Sequence, residues 1–250
     1  MSEINKSVGQ QAFIDEMRRL AYQSPRVRLF GKEFLFHPEV FHPGMSIDEK
    51  EFMTEKIVKT VEEELMKKSA EASFDFLEVG CGAGYTAILA ALASQKCKAW
   101  ATDISEIAVK NTIENAKLHG VEDRLTAVTA DVFDHKEIAG RKFDMIYWDF
   151  PWFCQQTEPE TQLDMLMRSL VDPEYRAFRR YLAQAEKVLK KTGRIFVAFS
   201  FSEGSKELFE TVVKETGWSY KISSQKTFPI EIADVKQELD VSVVELFKQE

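Results

Sequence analysis

The stretch from Phe74 to Gly84 constrains this chain more than any other part of its sequence. It begins with Phe-Asp-Phe-Leu-Glu-Val, which has the apolar and β-branched content of a buried strand. Glycines follow at positions 80, 82 and 84, and segment 85–93 is almost wholly apolar or small. Because glycines permit a sharp turn and the close approach of a ligand, this order of strand, turn and helix predicts a nucleotide-binding cradle.

The spacing of the glycines indicates which ligand the cradle accepts. A dinucleotide-binding fold has the pattern G-x-G-x-x-G and binds pyrophosphate at the helix N-terminus. Here the pattern is G-x-G-x-G, and Glu78 lies two residues before the first glycine. A carboxylate at that place repels pyrophosphate but suits a ligand that carries an ammonium group. On this stretch alone, a glycine-rich turn without any ligand remains the alternative.

The composition is that of a globular protein with one large domain, or one domain and a small appendage. Of the 250 residues, 44% are hydrophobic and 30% charged, and the formal net charge is −8. An acidic balance argues against a large nucleic-acid interface, which needs a basic face. The three cysteines form no C-x-x-C motif, and residues 1–11 lack the apolar core of a signal peptide. We therefore expect a cytoplasmic protein that contacts no membrane.

Segments typical of strands alternate with segments typical of helices from residue 73 onward. Strands are predicted over 74–79, 97–102, 125–130, 143–149, 193–201, 219–226 and 240–248. Helices are predicted over 84–95, 105–119, 160–190 with a break near Pro173, and 203–216. This alternation predicts an α/β fold with a mostly parallel, doubly wound sheet whose last two strands form a hairpin.

The part of the chain before this alternation has its own pattern. It predicts a short helix over 11–22, a β-hairpin over 26–37, and a helix over 47–68 that begins with a capping box at Ser46 and Glu49. We divide the chain into an N-terminal helix and hairpin extension, residues 1–45, and a main domain, residues 46–250.

Two further strand ends carry carboxylates in register with the glycines. Asp103 ends the second strand of the alternation about 20 residues beyond them, where a Rossmann-type fold places the acid that binds ribose hydroxyls. Asp131 follows the third strand in the same way. Asp103 is also compatible with a helix N-cap, with Ser105 as a rival, and Asp131 with a plain turn residue.

The fourth strand ends in Asp149-Phe-Pro-Trp. Together with the glycine stretch, this segment resembles the class I S-adenosylmethionine (SAM) dependent methyltransferases, whose motif IV is Asn/Asp-Pro-Pro-Tyr/Phe/Trp in enzymes that methylate planar or amide nitrogens. The adenine-N6 branch often carries Asp-Pro-Pro-Trp and the HemK-like glutamine branch Asn-Pro-Pro-Tyr. This chain departs from both at Phe150, which restores a backbone N–H and frees the φ angle.

The resemblance implies a seven-stranded methyltransferase sheet and SAM as cofactor, with S-adenosylhomocysteine as product. It implies that the methionine part of SAM lies over the glycine stretch, the ribose at Asp103, and the adenine between Ile104 and the 131–132 turn. The cofactor-binding residues predicted in this way are Glu78, Gly80, Cys81, Gly82, Gly84, Asp103, Ile104, Asp131 and Val132.

The chemistry of methyl transfer explains why such residues belong together. Transfer from the sulfonium is an in-line displacement, so orientation of the acceptor nitrogen supplies much of the rate. Asp149 and the Phe150 carbonyl can accept both N–H bonds of that nitrogen, and Asp149 offsets its developing positive charge. Trp152 offers a flat face to a planar group or a cation. The predicted catalytic residues are therefore Asp149, Phe150, Pro151 and Trp152, against the alternative of a strand-end turn with a buried Trp.

The resemblance to the HemK-like group extends from about residue 29 to the C-terminus. It includes Gly31-Lys-Glu-Phe with His37-Pro-Glu-Val-Phe-His-Pro, and the segment Asp172-Pro-Glu-Tyr-Arg-Ala-Phe-Arg-Arg-Tyr-Leu. Residues 34–45 are rich in proline and aromatic residues and are predicted to form a lid. Its acceptor contacts are predicted at Phe36, His37, Phe41 and His42, and no metal site is expected because the histidines lack further ligands in register.

Three functions remain open on the sequence alone. The acidic charge, the short N-terminal part and the altered motif IV favour an N-methyltransferase of a small amine, amide or guanidine, and hence a small-molecule partner. The alternatives are methylation of a protein glutamine or of adenine in nucleic acid, and a SAM-binding protein without catalysis. The oligomeric state and the number of methyl groups transferred are left open.

Overall fold

The structure is a computed structural model that describes residues 15–16, 19–20, 22–23, 25–45, 47–69, 71–154, 165–232 and 235–248. Most of the helix predicted over 11–22 lies outside the described residues, and so does Ser46 of the predicted capping box. The first strands are β1, Arg26–Leu29, and β2, Lys32–Leu35, which pair antiparallel as the predicted hairpin. A short 3-10 helix, Pro43–Met45, leads into α1, Ile47–Met66.

The main sheet contains the seven strands β3 to β9. They are Phe74–Val79, Cys97–Asp103, Leu125–Thr129, Phe143–Asp149, Leu189–Phe199, Ser219–Ile232 and Val235–Phe247. Their order across the sheet is β5-β4-β3-β6-β7-β9-β8. In this order the strands from β5 to β7 are parallel to one another, whereas β9 is antiparallel to both β7 and β8. The predicted α/β fold and its terminal hairpin are confirmed.

The helices after α1 connect these strands. They are α2, Tyr85–Ala93; α3, Glu106–Leu118; α4, Met165–Arg168; α5, Arg176–Ala185; and α6, Lys206–Glu215, with a 3-10 turn at Pro173–Tyr175. The prediction of one broken helix over 160–190 is wrong at its end. The N–H of Phe143 donates to the carbonyl of Val188 at 2.7 Å, and Leu189 pairs with Phe143 in the sheet. Hydrogen bonds to β6 therefore draw this backbone into β7.

Both faces of the sheet are covered, as its burial pattern requires. All the residues of β6 except the last are buried. Met145 and Tyr147 belong to the hydrophobic cluster on one face, and Ile146 and Trp148 to the cluster on the other. Strands that are buried on both faces have continuous apolar sequences, which is the pattern of parallel α/β sheets.

Two buried asparagines of α3 fix the N-terminal hairpin to the main sheet's helical layer. The Asn115 side chain accepts from the Leu35 N–H and donates to the carbonyls of Leu35 and Ala83. Asn111 accepts from the His37 N–H and donates to the Leu35 carbonyl. The predicted domain division at residue 45 stays a prediction, and the hydrophobic cluster is continuous across it.

The order of the strands determines where a ligand site is expected. Strand β3 lies between β4 and β6, so the chain winds to opposite sides of the sheet from this point. In open α/β sheets the crevice outside the carboxyl ends of the strands at such a switch point binds ligands. No helix in the described part of the chain is long and apolar enough to cross a membrane.

Candidate active site

The glycine turn after β3 adopts backbone conformations that favour glycine. The φ angles of Gly80, Gly82 and Gly84 are 61°, 54° and 77°. A Cβ on Gly80 would lie 2.5 Å from Nε1 of Trp148, and one on Gly84 would lie 2.6 Å from the side chain of Thr112. The turn therefore needs glycine both for its backbone angles and for close packing against neighbouring side chains.

Asp103 ties the glycine turn to the end of β4. Its Oδ2 accepts from the Gly82 N–H at 2.9 Å, and its Oδ1 accepts from the Ser105 N–H at 2.9 Å. Burial raises the pKa of this carboxyl above its usual range. The N-cap of α3 is Ser105, whose hydroxyl accepts from the Ala108 N–H. The rival interpretation of Asp103 as the helix cap is therefore wrong, and the carboxylate lies at the cavity wall.

Glu78 is buried beneath the first turn of α2. Its Oε2 accepts from the Ala87 N–H at 2.8 Å, and only 5% of the residue is exposed. Burial raises its pKa from 4.5 to about 8. Because a nearby cation favours the charged form of a carboxyl, a ligand ammonium group at this place would lower that pKa again.

The turn after β5 lies on the same cavity. Asp131 forms an ion pair with Arg180 of α5, at 3.1 Å from Oδ1 to Nη2, and its side chain is 45% exposed. Val132 has a φ of 57°, and its carbonyl accepts from the Thr102 hydroxyl at 3.0 Å. The adenine contact predicted for Asp131 stays a prediction, and Arg180 is a neighbour that the sequence did not indicate.

The motif after β6 lines the same cavity as the glycine turn. Asp149 is 23% exposed at its side chain. The Trp152 indole N–H donates to the Ala198 carbonyl at 3.1 Å, and the Trp152 carbonyl accepts from the Tyr175 hydroxyl at 2.7 Å. These bonds fix the turn to β7 and to the start of α5, so the aspartate is held on an ordered support.

Phe150, the departure from the family motif, has a packing role. Its side chain is 1% exposed and stacks on Phe178 at 4.4 Å between ring centroids and on Phe199 at 5.5 Å. Phe209 and Tyr175 complete this aromatic cluster. The substitution of proline by phenylalanine therefore adds a core side chain directly below the motif.

Lys50 of α1 also lines the cavity and is not among the residues predicted from the sequence. Its Nζ lies 2.8 Å from Asp149 Oδ2 and 3.5 Å from Glu49 Oε1, and its side chain is 5% exposed. The ammonium group also lies 4.8 Å from the Phe41 ring centroid and 5.1 Å from that of Trp152. The carboxylates hold the pKa of Lys50 above its usual range despite its burial.

A signal for Lys50 exists in the sequence. Positions 50, 53, 54, 57 and 61 form the buried face of α1, and a lysine on such a face needs a partner. The partner is 99 positions away along the chain, so only the tertiary structure identifies it.

The predicted lid, residues 34–45, contributes Glu39, Val40 and Phe41 to the cavity. Phe41 lines it, whereas Phe36, His37 and His42 do not. Phe36 is buried against the His42 ring, and His37 Nε2 lies 2.7 Å from Glu114 of α3. Their predicted acceptor contacts are corrected accordingly, because packing and hydrogen bonds occupy these side chains elsewhere.

These residues surround a cavity of about 270 Å³ at the carboxyl ends of β3, β4 and β6. Of the predicted cofactor and catalytic residues, all but Gly84 line it. The lining includes Lys50, Glu78, Gly80, Asp103, Asp149 and Trp152. The tip of the β8–β9 hairpin adds Ile230 and Leu239 to the wall.

The chain is similar in sequence to known methyltransferases. The family model described as "Methyltransferase domain" matches residues 70–238. A release factor glutamine methyltransferase of Aquifex aeolicus is 31% identical over 140 residues, which are 53% of this chain and 49% of the relative. The one of Streptococcus pneumoniae is 24% identical over 221 residues, 85% of this chain and 76% of the relative. The chain thus spans about half the length of the Aquifex relative.

Two solved structures show the same fold. A SAM-dependent methyltransferase from Agrobacterium tumefaciens superposes with a TM-score of 0.56 at 19% identity, covering 90% of this chain and 70% of the other. A chain solved complexed with SAH superposes with a TM-score of 0.57 at 11% identity, covering 88% and 56%.

The expectation of a small-molecule partner is contradicted by the sequence relatives. They are named release factor glutamine methyltransferases, and a release factor is a protein. That expectation rests on the acidic charge, the short N-terminal part and the altered motif IV, and the phenylalanine of motif IV is accounted for by packing in the aromatic cluster. With the family model matched over 70–238 and the glycine turn and motif IV on one cavity, the chain belongs to the methyltransferase domain family, in its class I SAM-dependent, HemK-like type.

Proposed function

We propose that this protein is a SAM-dependent N-methyltransferase that methylates the side-chain amide of a glutamine in a protein. Its relatives from Aquifex aeolicus and Streptococcus pneumoniae are named release factor glutamine methyltransferases, which supports this proposal. The observation that supports the proposal most is the position of Asp149, which lies on the same cavity as the glycine turn. Asp149 is partly exposed, so a glutamine side chain on a protein loop can reach it from the surface.

The cofactor side of the cavity fits SAM. A Cβ on Gly80 would collide with Trp148, so this part of the cradle requires glycine. Glu78 offers a carboxylate to an ammonium group, and Asp103 offers one to ribose hydroxyls. When bound, SAM supplies an electrophilic methyl group on a positively charged sulfur.

The acceptor side of the cavity orients the amide. The nitrogen of a carboxamide is a poor nucleophile because its lone pair is delocalised into the carbonyl. An oxygen of Asp149 and the Phe150 carbonyl accept its two N–H bonds and turn that lone pair toward the cofactor. Asp149 also stabilises the positive charge that develops on nitrogen during transfer and accepts the N–H proton that the methylated nitrogen then loses. The Trp152 and Phe41 rings exclude water from one side.

The proposal is tested by methyl transfer from labelled SAM to a purified protein release factor. Peptide mass spectrometry should locate one or more added methyl groups on a glutamine side chain. Each exchange of a hydrogen for a methyl group raises the peptide mass by roughly 14 Da. Replacement of that glutamine by alanine in the release factor is the matched control and should abolish labelling. Methylation of a lysine, an arginine or an added adenine oligonucleotide instead would contradict the proposal.

The proposal includes a location in the cytoplasm. It is supported by Cys81, Cys97 and Cys154, which are free thiols in the structure, as a reducing compartment maintains them.

A further inference from the structure

Lys50 and Asp149 present a donor and an acceptor on the same wall of the cavity. Oδ2 of Asp149 accepts from the Lys50 ammonium group at 2.8 Å. Among the described residues, Oδ1 of Asp149 has no hydrogen-bond partner, although the side chain is partly exposed to the cavity. Lys50 therefore fixes one oxygen of the carboxylate and leaves the other available to a ligand.

The position of Lys50 is determined by its surroundings. It lies on the buried face of α1, between the rings of Phe41 and Trp152, and is almost fully removed from solvent. Burying a charged group is costly unless it is paired and hydrogen-bonded. An ammonium group has three N–H donors; the hydrogen bond to Asp149 accounts for one of them, and Glu49 is an ion-pair partner at 3.5 Å.

A carboxamide is complementary to this arrangement. Its NH₂ group donates and its oxygen accepts, whereas a protonated amine donates only. We propose that Lys50 is a specificity-determining residue: Asp149 Oδ1 accepts an N–H of the acceptor amide, and Lys50 donates to the amide oxygen. This inference rests on the proposed function and names the group that selects an amide over a cationic amine.

The ion pair thereby provides the same two groups as one asparagine, whose side chain carries both an acceptor oxygen and a donor NH₂. This leads to an unusual expectation for substitutions. In Asp149→Asn the Lys50 ammonium attracts the amide oxygen, which turns the NH₂ group toward the acceptor and places donor against donor. When Lys50 is absent, the same asparagine can rotate and offer its oxygen.

The test compares four proteins with a release factor fragment that contains the acceptor glutamine: the parent, Lys50→Met, Asp149→Asn and the double variant. Methionine keeps an apolar stem beside the Phe41 and Trp152 rings and removes the charge. Each single variant should lose about 10²-fold or more in kcat/KM, the usual size for one preorganised polar partner. The double variant should recover to within about fivefold of the parent, since the asparagine then provides both groups.

Two measurements separate this role from a structural one. SAM affinity by calorimetry should change by less than about twofold in all four proteins, because the change is confined to the acceptor side. Lys59→Met is the matched control, a lysine of the same helix whose side chain is 62% exposed, and it should behave as the parent. Lys50→Gln, which keeps an uncharged donor, should retain more activity than Lys50→Met and gives an independent result if Lys50→Met does not fold.

The outcomes distinguish the two proposals. If the parent methylates glutamine but the double variant is no better than the single variants, the role of Lys50 is overturned and the proposed function stands. If Lys50→Met keeps the parent kcat/KM, the role of Lys50 is likewise overturned. If the parent does not methylate glutamine at all, the proposed function fails, and the assignment of Lys50 fails with it.

Discussion

The buried carboxyl of Glu78 leads to a quantitative prediction for Glu78→Gln. Burial raises the pKa of this group from 4.5 to about 8, so the folded protein holds a proton that the unfolded chain releases in that range. Between these pH values the unfolded state binds fewer protons than the folded protein. The contribution of Glu78 to the free energy of unfolding is therefore fully present below pH 4.5 and is lost as the pH rises toward 8. Glutamine is uncharged at every pH and keeps an oxygen that can accept from Ala87.

The magnitude follows from the size of the shift. Each unit of pKa difference corresponds to about 1.4 kcal/mol, so the parent loses about 4 kcal/mol by pH 7.5 and about 1 kcal/mol by pH 5. Glu78→Gln should therefore stabilise the protein by about 3 kcal/mol more at pH 7.5 than at pH 5. Urea denaturation of both proteins at the two pH values measures this difference.

The same substitution should weaken SAM binding, since the carboxylate that pairs with the ligand ammonium group is lost. A hydrogen bond to a charged group is worth about 1.5–3 kcal/mol, and calorimetry should show a loss of that order. Higher stability together with weaker SAM binding is the expected pattern of a functional site. An equal change in the free energy of unfolding at both pH values would contradict the raised pKa of Glu78 in the folded protein.

Three further predictions concern other walls of the cavity. Asp103→Ala should weaken SAM binding by about 1–3 kcal/mol in calorimetry, because it removes the acceptor of the Gly82 N–H as well as the proposed ribose contact; unchanged affinity would contradict the ribose assignment. Phe41→Ala should raise the acceptor KM and leave SAM affinity nearly intact; the opposite pattern would assign this residue to the cofactor. Phe150→Ala should lower the free energy of unfolding by about 3–5 kcal/mol in urea denaturation, because a ring stacked on Phe178 is removed; a loss below about 1 kcal/mol would contradict its role in the core.

The sequence predicts the central part of this fold because local signals there agree with the tertiary structure. The strand ending at Val79, the glycine turn and the acid at Asp103 all follow from residue types and spacing, since buried parallel strands are apolar throughout and tight turns need glycine. The chain order of strands and helices then fixes a parallel sheet.

Features that depend on distant partners could not be predicted in this way. In the sequence, Lys50 is one charged position on an amphipathic helix. Its partner is known only once the tertiary structure shows that α1 packs against the end of β6. The proline and aromatic residues before α1 indicated a lid, but Asn111 and Glu114 of α3 bind His37 and hold that residue away from the cavity. Local composition gives the type of a segment, whereas its neighbours decide which side chains face the site.

The most direct test of the proposed function is the effect of Asp149→Ala on turnover and on SAM affinity, measured with the same preparation. Asp149 acts on the acceptor nitrogen, so its contribution is largest in the transition state. We expect kcat with the glutamine acceptor to fall by roughly 10²–10³, as for the loss of one preorganised polar partner, and SAM affinity to stay within about twofold of the parent. Turnover of the glutamine acceptor at the parent rate would contradict the account.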